Sequence, residues 1–406
     1  MLHNWLNLVI RLITLSSKFI FLTLFSLYSS PELLGIYGVM VATIYFFIIP
    51  MGFDFYYYSS REILSQNITP QKSFTNQIFF IFFLSLITMP FVSLVFYSDL
   101  LPKSIIGYFF LILFFELVTL ELSRFLIALK RQIDSSITIF LRSGLWAIFF
   151  IPNFFTYELI SIKSILLYWL CGQIISISYA SLRLFQLGIF PLEKSINFHW
   201  IKKGISITFP IFLGSLGIKG LLMFDKISFD LLAGSELLGV YVFFMSIATL
   251  LLTISESLLF VFSYPKLIEE FHKNIKGFHK EMKILISRFA LLMLFTTTLI
   301  TIFIFIYFSF QSNDLYVNNL YLLYCLVFFF IIYGFSQCFH FGMYASGQDK
   351  KIGLINFSAP LVFIVSMFAI VSINKTLAVP LSLIFAASYI LILKSHSYMM
   401  LIKRGK

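Results

Sequence analysis

Runs of about twenty mostly apolar residues recur along the whole of this 406-residue chain. An α-helix needs about 20 such residues to cross the hydrocarbon core of a bilayer, and within lipid each segment must satisfy its own backbone hydrogen bonds. The sequence therefore predicts an all-α integral membrane protein with twelve transmembrane helices. The predicted spans, numbered 1 to 12 in chain order, are residues 6–28, 34–53, 74–97, 105–127, 137–155, 162–182, 204–224, 237–262, 284–309, 320–343, 352–372 and 378–401.

The composition excludes a soluble fold, and the distribution of charge excludes nucleic acid as a partner. Hydrophobic residues make up 60% of the chain and charged residues only 12%, against about 25% charged in soluble domains. Most lysines and arginines lie in one set of alternate loops. The formal net charge of +11 therefore reflects membrane topology rather than a basic binding surface. This set of loops, together with both termini, is predicted to be cytoplasmic.

A short repeated motif divides the chain into two halves. Glu-Leu-Leu-Gly-Ile-Tyr at residues 32–37 recurs as Glu-Leu-Leu-Gly-Val-Tyr at residues 236–241, which is 204 positions later. Six predicted spans separate the copies, and because six is even, the halves have the same orientation and form parallel repeats. We therefore predict an N-terminal six-helix bundle (1–190), a cytoplasmic linker (191–203) and a C-terminal six-helix bundle (204–406) around a central cavity.

Cations within or near the spans are the candidates for substrate binding in this cavity: Lys18, Lys219, Arg142 and Arg11. A cation at the bilayer centre costs roughly 2.5–3.5 kcal/mol on insertion scales, so such residues usually face a polar interior. Aligned on the motif, Lys18 of span 1 and Lys219 of span 7 differ by three residues, about one helical turn. Snorkelling to the membrane surface is the alternative for Arg11 and Lys219, and the predicted explanation for Lys394. A basic cavity favours an anionic substrate, such as a pyrophosphate or an acidic sugar.

Three glutamates lie inside predicted spans, Glu116, Glu121 and Glu256, and the first and last of them are candidates for ion coupling. Glu116 is central in span 4, and Glu256 lies in span 8. Intramembrane acids of this kind exchange protons or hold a coupling cation in transporters. Either could instead be the ion-pair partner of Arg142 or Lys18, and the sequence leaves both readings open.

A charged segment follows the end of span 2. Asp54 and Arg61 flank three consecutive tyrosines there, and we predict that these two charged residues line a gate at the cytoplasmic mouth. The tyrosines could equally form an interfacial aromatic belt. Glu121 and Arg124 at the end of span 4 have the spacing of a local ion pair on one helix. The cysteines and histidines show neither metal-ligand nor catalytic spacing, so we predict no cofactor, no metal and no enzymatic site.

The architecture and four short motifs resemble the polysaccharide-flippase branch of the multidrug/oligosaccharidyl-lipid/polysaccharide (MOP) exporter superfamily. More narrowly, the chain resembles a Wzx-type O-antigen flippase. The architecture covers the whole chain, whereas the motifs identify the superfamily and branch better than the substrate. The motifs are the repeated Glu-Leu-Leu-Gly-Ile/Val-Tyr, Gly52-Phe53-Asp54-Phe55-Tyr56 leading into Arg61-Glu62, Asp225-Lys226 closing span 7, and Ser263-Tyr264-Pro265-Lys266 after span 8.

This resemblance implies a MATE-like fold, in which two bundles form a V around a basic cavity. It implies a secondary transporter of the bacterial inner membrane that flips undecaprenyl-pyrophosphate-linked oligosaccharide to the periplasmic leaflet by alternating access. Coupling to an ion gradient is expected, as are a polysaccharide polymerase and a chain-length regulator as partners. On this resemblance Lys18 and Lys219 would line the cavity together with Glu256.

Two other functions remain as alternatives. The first is a multidrug or cation antiporter of the same superfamily, although spans 1 and 7 lack the acidic residue that a drug/proton mechanism would use there. The second is an integral-membrane polysaccharide polymerase or transferase. Polymerases of that kind usually carry a large external loop, whereas the external loops predicted here are short.

Overall fold

The computed structural model describes residues 2–156, 160–193, 195–311 and 313–404, so Lys194 of the predicted linker lies outside the described residues. Within these ranges, twelve helices are long and apolar enough to cross a membrane, which confirms the predicted all-α architecture. Spans 1 to 12 run over Trp5–Tyr28, Pro31–Gly52, Pro70–Tyr97, Lys103–Ala128, Gln132–Phe155, Ile162–Gln186, Phe198–Ala233, Ser235–Lys273, Ile275–Phe308, Leu320–Ala345, Asp349–Val371 and Lys375–Ile402. Two short helices, Tyr56–Leu64 and Asp314–Asn318, lie in the connections.

Spans 7, 8 and 9 are longer than their apolar runs predict. Span 7 continues to Ala233, and spans 8 and 9 are separated by the single residue Asn274. Their ends are set by local backbone chemistry. Gly234 has a φ of 87°, a conformation that glycine adopts without strain. The Asn274 side chain accepts a hydrogen bond from the Gly277 amide at 2.6 Å and so caps span 9.

Three local irregularities coincide with charged residues that the sequence singles out. Span 5 contains a π-helical turn at Leu141–Leu145, which includes Arg142, and span 8 contains another that begins at Glu256. Such turns are rare and occur frequently at functional sites. After span 2, Phe53 and Asp54 have φ values of 54° and 50°. A left-handed backbone at non-glycine residues costs of order 1–3 kcal/mol and persists only where surrounding contacts enforce it.

The chain divides into two compact units. The first unit contains Met1–Ser29 and Ile36–Phe212, and the second contains Ser30–Gly35 and Leu213–Lys406. Packed aromatic rings fill the interior of each unit, which accounts for many of the 53 phenylalanines. Because lipid is as apolar as leucine, helix association in a membrane depends on close packing rather than on the hydrophobic effect. Ring pairs supply such packing, as between Phe21 and Trp146 in the first unit and Phe243 and Tyr307 in the second.

Glycines of span 7 allow a close helix crossing within the second unit. A Cβ atom added at Gly214 would lie 3.1 Å from the Cα of Gly353, and one at Gly217 would overlap the backbone oxygen of Asn356. Spans 7 and 11 therefore meet backbone to backbone at this point, which is the use of small residues in membrane helix packing.

Replacing Gly217 by alanine is expected to lower the free energy of unfolding by about 1–3 kcal/mol, because the backbone of span 11 must move to admit the methyl group. The matched control is Gly107→Ala in span 4, where nothing lies within 4 Å of the added Cβ. Alanine has the higher helix propensity, so this control should be neutral or slightly stabilising. Thermal unfolding in detergent measures both changes, and equal effects at the two positions would contradict the close crossing.

Candidate functional site

A buried glutamate in span 4 organises the charged cluster of the first unit. Glu116 is only 1% exposed. Its Oε1 forms an ion pair with Arg142 Nη1 of span 5 at 3.0 Å. Its Oε2 accepts hydrogen bonds from Gln173 Nε2 at 2.7 Å and Trp169 Nε1 at 3.3 Å, both in span 6. Tyr45 Oη of span 2 donates a further hydrogen bond to Oε1 at 3.5 Å. Four helices thus fix this carboxylate, and the sequence indicated the arginine but not the other donors.

Lys18 of span 1 is the third charged member of this cluster. It interacts electrostatically with both Arg142 and Glu116, it is half-buried, and within the described residues it forms no ion pair of its own. The π turn brings span 5 close to span 1, since a Cβ at Gly144 would lie 3.0 Å from Ser17 Oγ. This cluster therefore contains two cations and one carboxylate, and it carries an excess positive charge.

Arg11 lies apart from this cluster. Its Nε donates a hydrogen bond to Ser136 Oγ at 3.3 Å, and Ser136 in turn is hydrogen-bonded to Asn7. Seven residues of helix separate Arg11 from Lys18, which is about 10 Å along the axis. The structure therefore gives Arg11 a polar partner between spans 1 and 5 and does not bring it to Glu116.

The second unit holds a smaller charged cluster around Glu256. This glutamate interacts electrostatically with Lys219 of span 7 and with Tyr333 of span 10. Glu256 is exposed, whereas Lys219 and Tyr333 are half-buried. In both units, then, a lysine of the first helix in that half of the chain lies close to a glutamate of another helix. The pair in the second unit carries no excess charge.

The repeat reveals a carboxylate whose environment the sequence did not indicate. The sequence predicts that Asp225 closes span 7, but the helix continues to Ala233. The side chain of Asp225 is fully buried. Tyr241 Oη donates a hydrogen bond to Asp225 Oδ2 at 2.8 Å, and Lys226 Nζ forms an ion pair with Oδ1 at 3.2 Å. At the positions 204 residues earlier, Phe21 and Tyr37 also meet, with ring centroids 5.8 Å apart. The two halves of the chain therefore share a contact between equivalent positions. In the second half it is a hydrogen bond to a carboxylate, and in the first half it is a contact between two aromatic rings.

The same substitution at these equivalent tyrosines is expected to have unequal effects. Tyr241→Phe removes a hydrogen bond to a buried carboxylate and should cost about 1.5–3 kcal/mol of unfolding free energy. Tyr37→Phe keeps the ring contact with Phe21 and should cost less than about 1 kcal/mol. Thermal unfolding of the two variants in one detergent gives the comparison. A Tyr37 variant as unstable as the Tyr241 variant would show that the Asp225 contact is not the cause.

The two predicted gate residues have different surroundings. Asp54 is buried, whereas Arg61 is exposed on the helix Tyr56–Leu64. Asp54 interacts electrostatically with Glu121 and Arg124 of span 4, which form the expected ion pair at 2.6 Å. The left-handed turn at Asp54 therefore directs its carboxylate toward span 4. The side chain of Arg61, in contrast, is exposed.

The network around Glu121 extends to residues that the sequence did not single out. Gln77 Nε2 of span 3 donates a hydrogen bond to Glu121 Oε2 at 2.6 Å, and Ser59 Oγ donates one to Gln77 Oε1 at 2.6 Å. The Arg124 guanidinium lies 3.8 Å from the centre of the Tyr56 ring, a cation–π contact. Burial raises the pKa of the Tyr56 phenol well above its usual value. Ordinary polar residues on three elements thus hold the charged segment in place.

Lys394 of span 12 does not snorkel to the membrane surface. The side chain is fully buried, and its Nζ lies 3.4 Å from Nδ1 of His340 in span 10. The prediction of snorkelling is therefore wrong. It assumed a lipid-facing helix side, whereas this side of span 12 faces the interior of the second unit.

Solved structures with the same fold are transporters. The chain superposes on an inward-facing conformation of a multidrug resistance MATE family transporter of the MOP superfamily with a TM-score of 0.74 and 13% identity, over 98% of both chains. An outward-facing conformation of such a transporter gives a TM-score of 0.68 at 13% identity, over 98% of this chain and 93% of the other. A MATE structure in the straight conformation gives 0.67 at 14% identity, over 98% and 94%.

Sequence comparison adds no closer relative. No protein-family model matches this chain, and no curated protein is a significant match. At the identities of the solved structures, the likeness establishes the fold alone. The chain therefore has a MATE-like fold, as predicted, with twelve candidate transmembrane helices among its described residues.

Proposed function

We propose that this protein is a flippase that moves undecaprenyl-pyrophosphate-linked oligosaccharide from the cytoplasmic to the periplasmic leaflet. The observation that carries the proposal is the cluster in which Arg142 forms an ion pair with Glu116 and Lys18 interacts electrostatically with both. The fold supports a mechanism of alternating access, because similar transporters have been solved in inward-facing and outward-facing conformations.

The cluster has donors available for an anion. Arg142 is 7% exposed, and its Nε donates no hydrogen bond within the part of the chain described. A guanidinium presents a planar set of donors that matches phosphate oxygens, and hydrogen bonds between ionised groups are roughly twice as strong as neutral ones. Lys18 adds a half-buried ammonium next to it. A pyrophosphate can therefore bind both cations without displacing Glu116 from its partners.

The excess positive charge explains why the substrate would be an anion. A purely structural ion pair needs one cation for Glu116, and Arg142 already supplies it. Lys18 then raises the electrostatic energy of the cluster, since it lies beside another cation in a medium of low dielectric constant. Binding of an anionic headgroup removes this penalty, and the oligosaccharide and lipid would be carried with the headgroup.

Glu256 is the residue that we propose for ion coupling. It is exposed on a π turn and lies near Lys219. Binding of a proton or Na⁺ neutralises the carboxylate next to Lys219, which changes the charge of the second unit during each cycle. Glu116 is less suited to this role, because an arginine and three hydrogen-bond donors already hold it.

Export of drugs or other cations is the second candidate function. The solved structures of similar fold include multidrug resistance transporters, and the exposed carboxylate of Glu256 would attract cationic compounds. The excess positive charge around Lys18 opposes this function, because it would repel such compounds from the first unit. A polymerase or transferase, the third class, has no support in the described site.

Loss of the gene separates these functions in a cell that makes surface polysaccharide. A flippase mutant should lose surface polysaccharide, should keep its lipid-linked units on the cytoplasmic leaflet, and should show unchanged drug susceptibility. Units that reach the outer surface but remain unpolymerised would indicate a polymerase. Hypersensitivity to cationic drugs with normal polysaccharide would indicate the antiporter and contradict the proposal.

The proposed location is the bacterial inner membrane with both termini in the cytoplasm, as the distribution of lysine and arginine predicts. A polysaccharide polymerase and a chain-length regulator would then receive the flipped units on the outer face. Single cysteines placed in the loops and tested with impermeant reagents measure this orientation. Labelling from outside intact cells of cysteines introduced at the two termini would contradict the proposed orientation.

A further inference from the structure

A pair of basic side chains, the fully buried Lys394 of span 12 and the half-buried His340 of span 10, lies in the second unit. Lys394 is fully buried, eight residues before the end of span 12 at Ile402. Spans 10 and 11 both pack extensively along span 12. From span 10, His340 brings its Nδ1 to 3.4 Å from Lys394 Nζ. Within the described residues, no carboxylate forms an ion pair with Lys394.

This geometry allows the pair to carry at most one positive charge. Two cations at this distance in a medium of low dielectric constant repel strongly, and burial disfavours each charged form as well. With Lys394 protonated, its ammonium donates to a neutral His340 that accepts at Nδ1. Loss of that proton leaves a neutral pair, and the interior then no longer contains an uncompensated charge. Such coupled groups titrate as one unit rather than as two independent residues.

A second polar contact lies one helical turn further along span 12. Tyr398 follows Lys394 by four residues and so lies on the same helix face, and its hydroxyl is 2.7 Å from Nδ1 of His279 in span 9. His279 is half-buried near the predicted cytoplasmic start of that span. Tyr398 therefore lies between Lys394 and the end of span 12 at Ile402. Within the described residues, no hydrogen bond joins this second contact to Lys394 or His340.

The other ionisable groups on the surrounding helices include two exposed lysines, Lys350 and Lys351, in the first turn of span 11. Cys338 and Tyr344 lie on span 10, and Asp349 is in the first turn of span 11. A thiol and a phenol are neutral at ordinary pH. Asp349 forms no ion pair with Lys394 in the part described. Lys394 thus differs from the lysines of span 11 in being fully buried.

We propose that Lys394 and His340 form a proton-binding site, which takes up and releases one proton. The site is separate from Glu256, and it changes the charge of the packed interior of spans 10 to 12. Its use in driving transport rests on the proposed function, whereas proton binding itself does not. The second unit would therefore contain two ionisable centres with opposite charge in their ionised forms.

Nuclear magnetic resonance of the protein in lipid vesicles tests the site directly. With lysine Nζ and histidine ring nitrogens labelled, we expect the Lys394 and His340 signals to change together in one step between about pH 5 and 9. Lys394→Met removes the neighbouring cation and should raise the midpoint of His340 protonation by about one pH unit or more. His340→Gln, a second variant in case the first does not fold, should abolish the shared step. His396→Gln, on the exposed side of span 12, should leave it unchanged.

A Lys394 signal that stays that of an ammonium, beside a His340 signal that stays neutral over the whole range, would overturn the site. The pair would then be a fixed structural contact. The titration uses no substrate, so its result is independent of the flippase. A protein that binds the proton but moves no lipid-linked oligosaccharide would contradict only the proposed function, and a flippase without the titration would contradict only this site.

Discussion

Replacing Lys18 by alanine is expected to reduce the display of surface polysaccharide at least about tenfold while leaving the protein stable. A hydrogen bond to a charged group is worth about 1.5–3 kcal/mol, and 1.4 kcal/mol corresponds to a factor of ten in binding. Lys18 has no ion-pair partner to leave behind within the described residues. Its loss also removes a cation next to Arg142, so the free energy of unfolding should be unchanged or slightly higher.

Two further variants serve as controls for this result. Lys18→Arg keeps the charge and should retain substantial display, whereas Lys163→Ala removes an exposed cation at the start of span 6 and should have no effect. Membrane insertion and thermal unfolding are measured for all three proteins. Normal display with Lys18→Ala would remove the anion site from the first unit. Loss of display together with loss of folding would instead show that Lys18 has a structural role.

Replacing Glu116 by leucine is expected to lower the free energy of unfolding by about 3–5 kcal/mol, because it leaves Arg142 as a buried charge without a partner. The donors Gln173 and Trp169 lose their acceptor in the same step. The effect of this variant on stability should therefore be much larger than that of Lys18→Ala, although both residues belong to one cluster. Denaturant or thermal unfolding in detergent gives the value.

The double variant Glu116→Leu/Arg142→Met is the control for this interpretation. With both charges replaced by apolar side chains, much of the lost stability should return, since a buried ion pair adds little over a well-packed apolar pair. A double variant as unstable as Glu116→Leu alone would show that the hydrogen bonds from span 6, rather than the ion pair, hold the cluster together.

The number and order of the spans could be predicted from sequence because the bilayer imposes one length on every crossing helix. The ends of the helices could not, since hydropathy marks only the part of a helix that lies in lipid. Ala233 lies nine residues beyond the predicted end of span 7 because the helix continues until Gly234 allows the chain to turn. For the same reason the burial of Asp225 could not be predicted, because a helix that ended at residue 224 would place Asp225 at the membrane surface.

The charged clusters could be predicted only in part. The sequence shows that Arg142 and Glu116 lie inside spans, and it leaves open whether they meet. Their contact depends on how spans 4 and 5 rotate, and the π turn at Arg142 is set by tertiary packing rather than by local preference. The prediction that Lys394 snorkels to the membrane surface is wrong for the same reason. Which side of span 12 faces the protein interior is not encoded in its own apolar pattern, because that pattern is apolar all round.

Transport in reconstituted vesicles tests the central claim most directly. Fluorescent oligosaccharide is attached through pyrophosphate to undecaprenol in one sample and to an uncharged polyprenyl lipid in another, and an impermeant quencher reports the fraction that has crossed the bilayer. The proposed flippase should move the pyrophosphate-linked lipid, should move the uncharged lipid far more slowly, and should lose this preference with Lys18→Ala. Equal rates for the two lipids, or no movement of either above that in empty vesicles, would contradict the assignment.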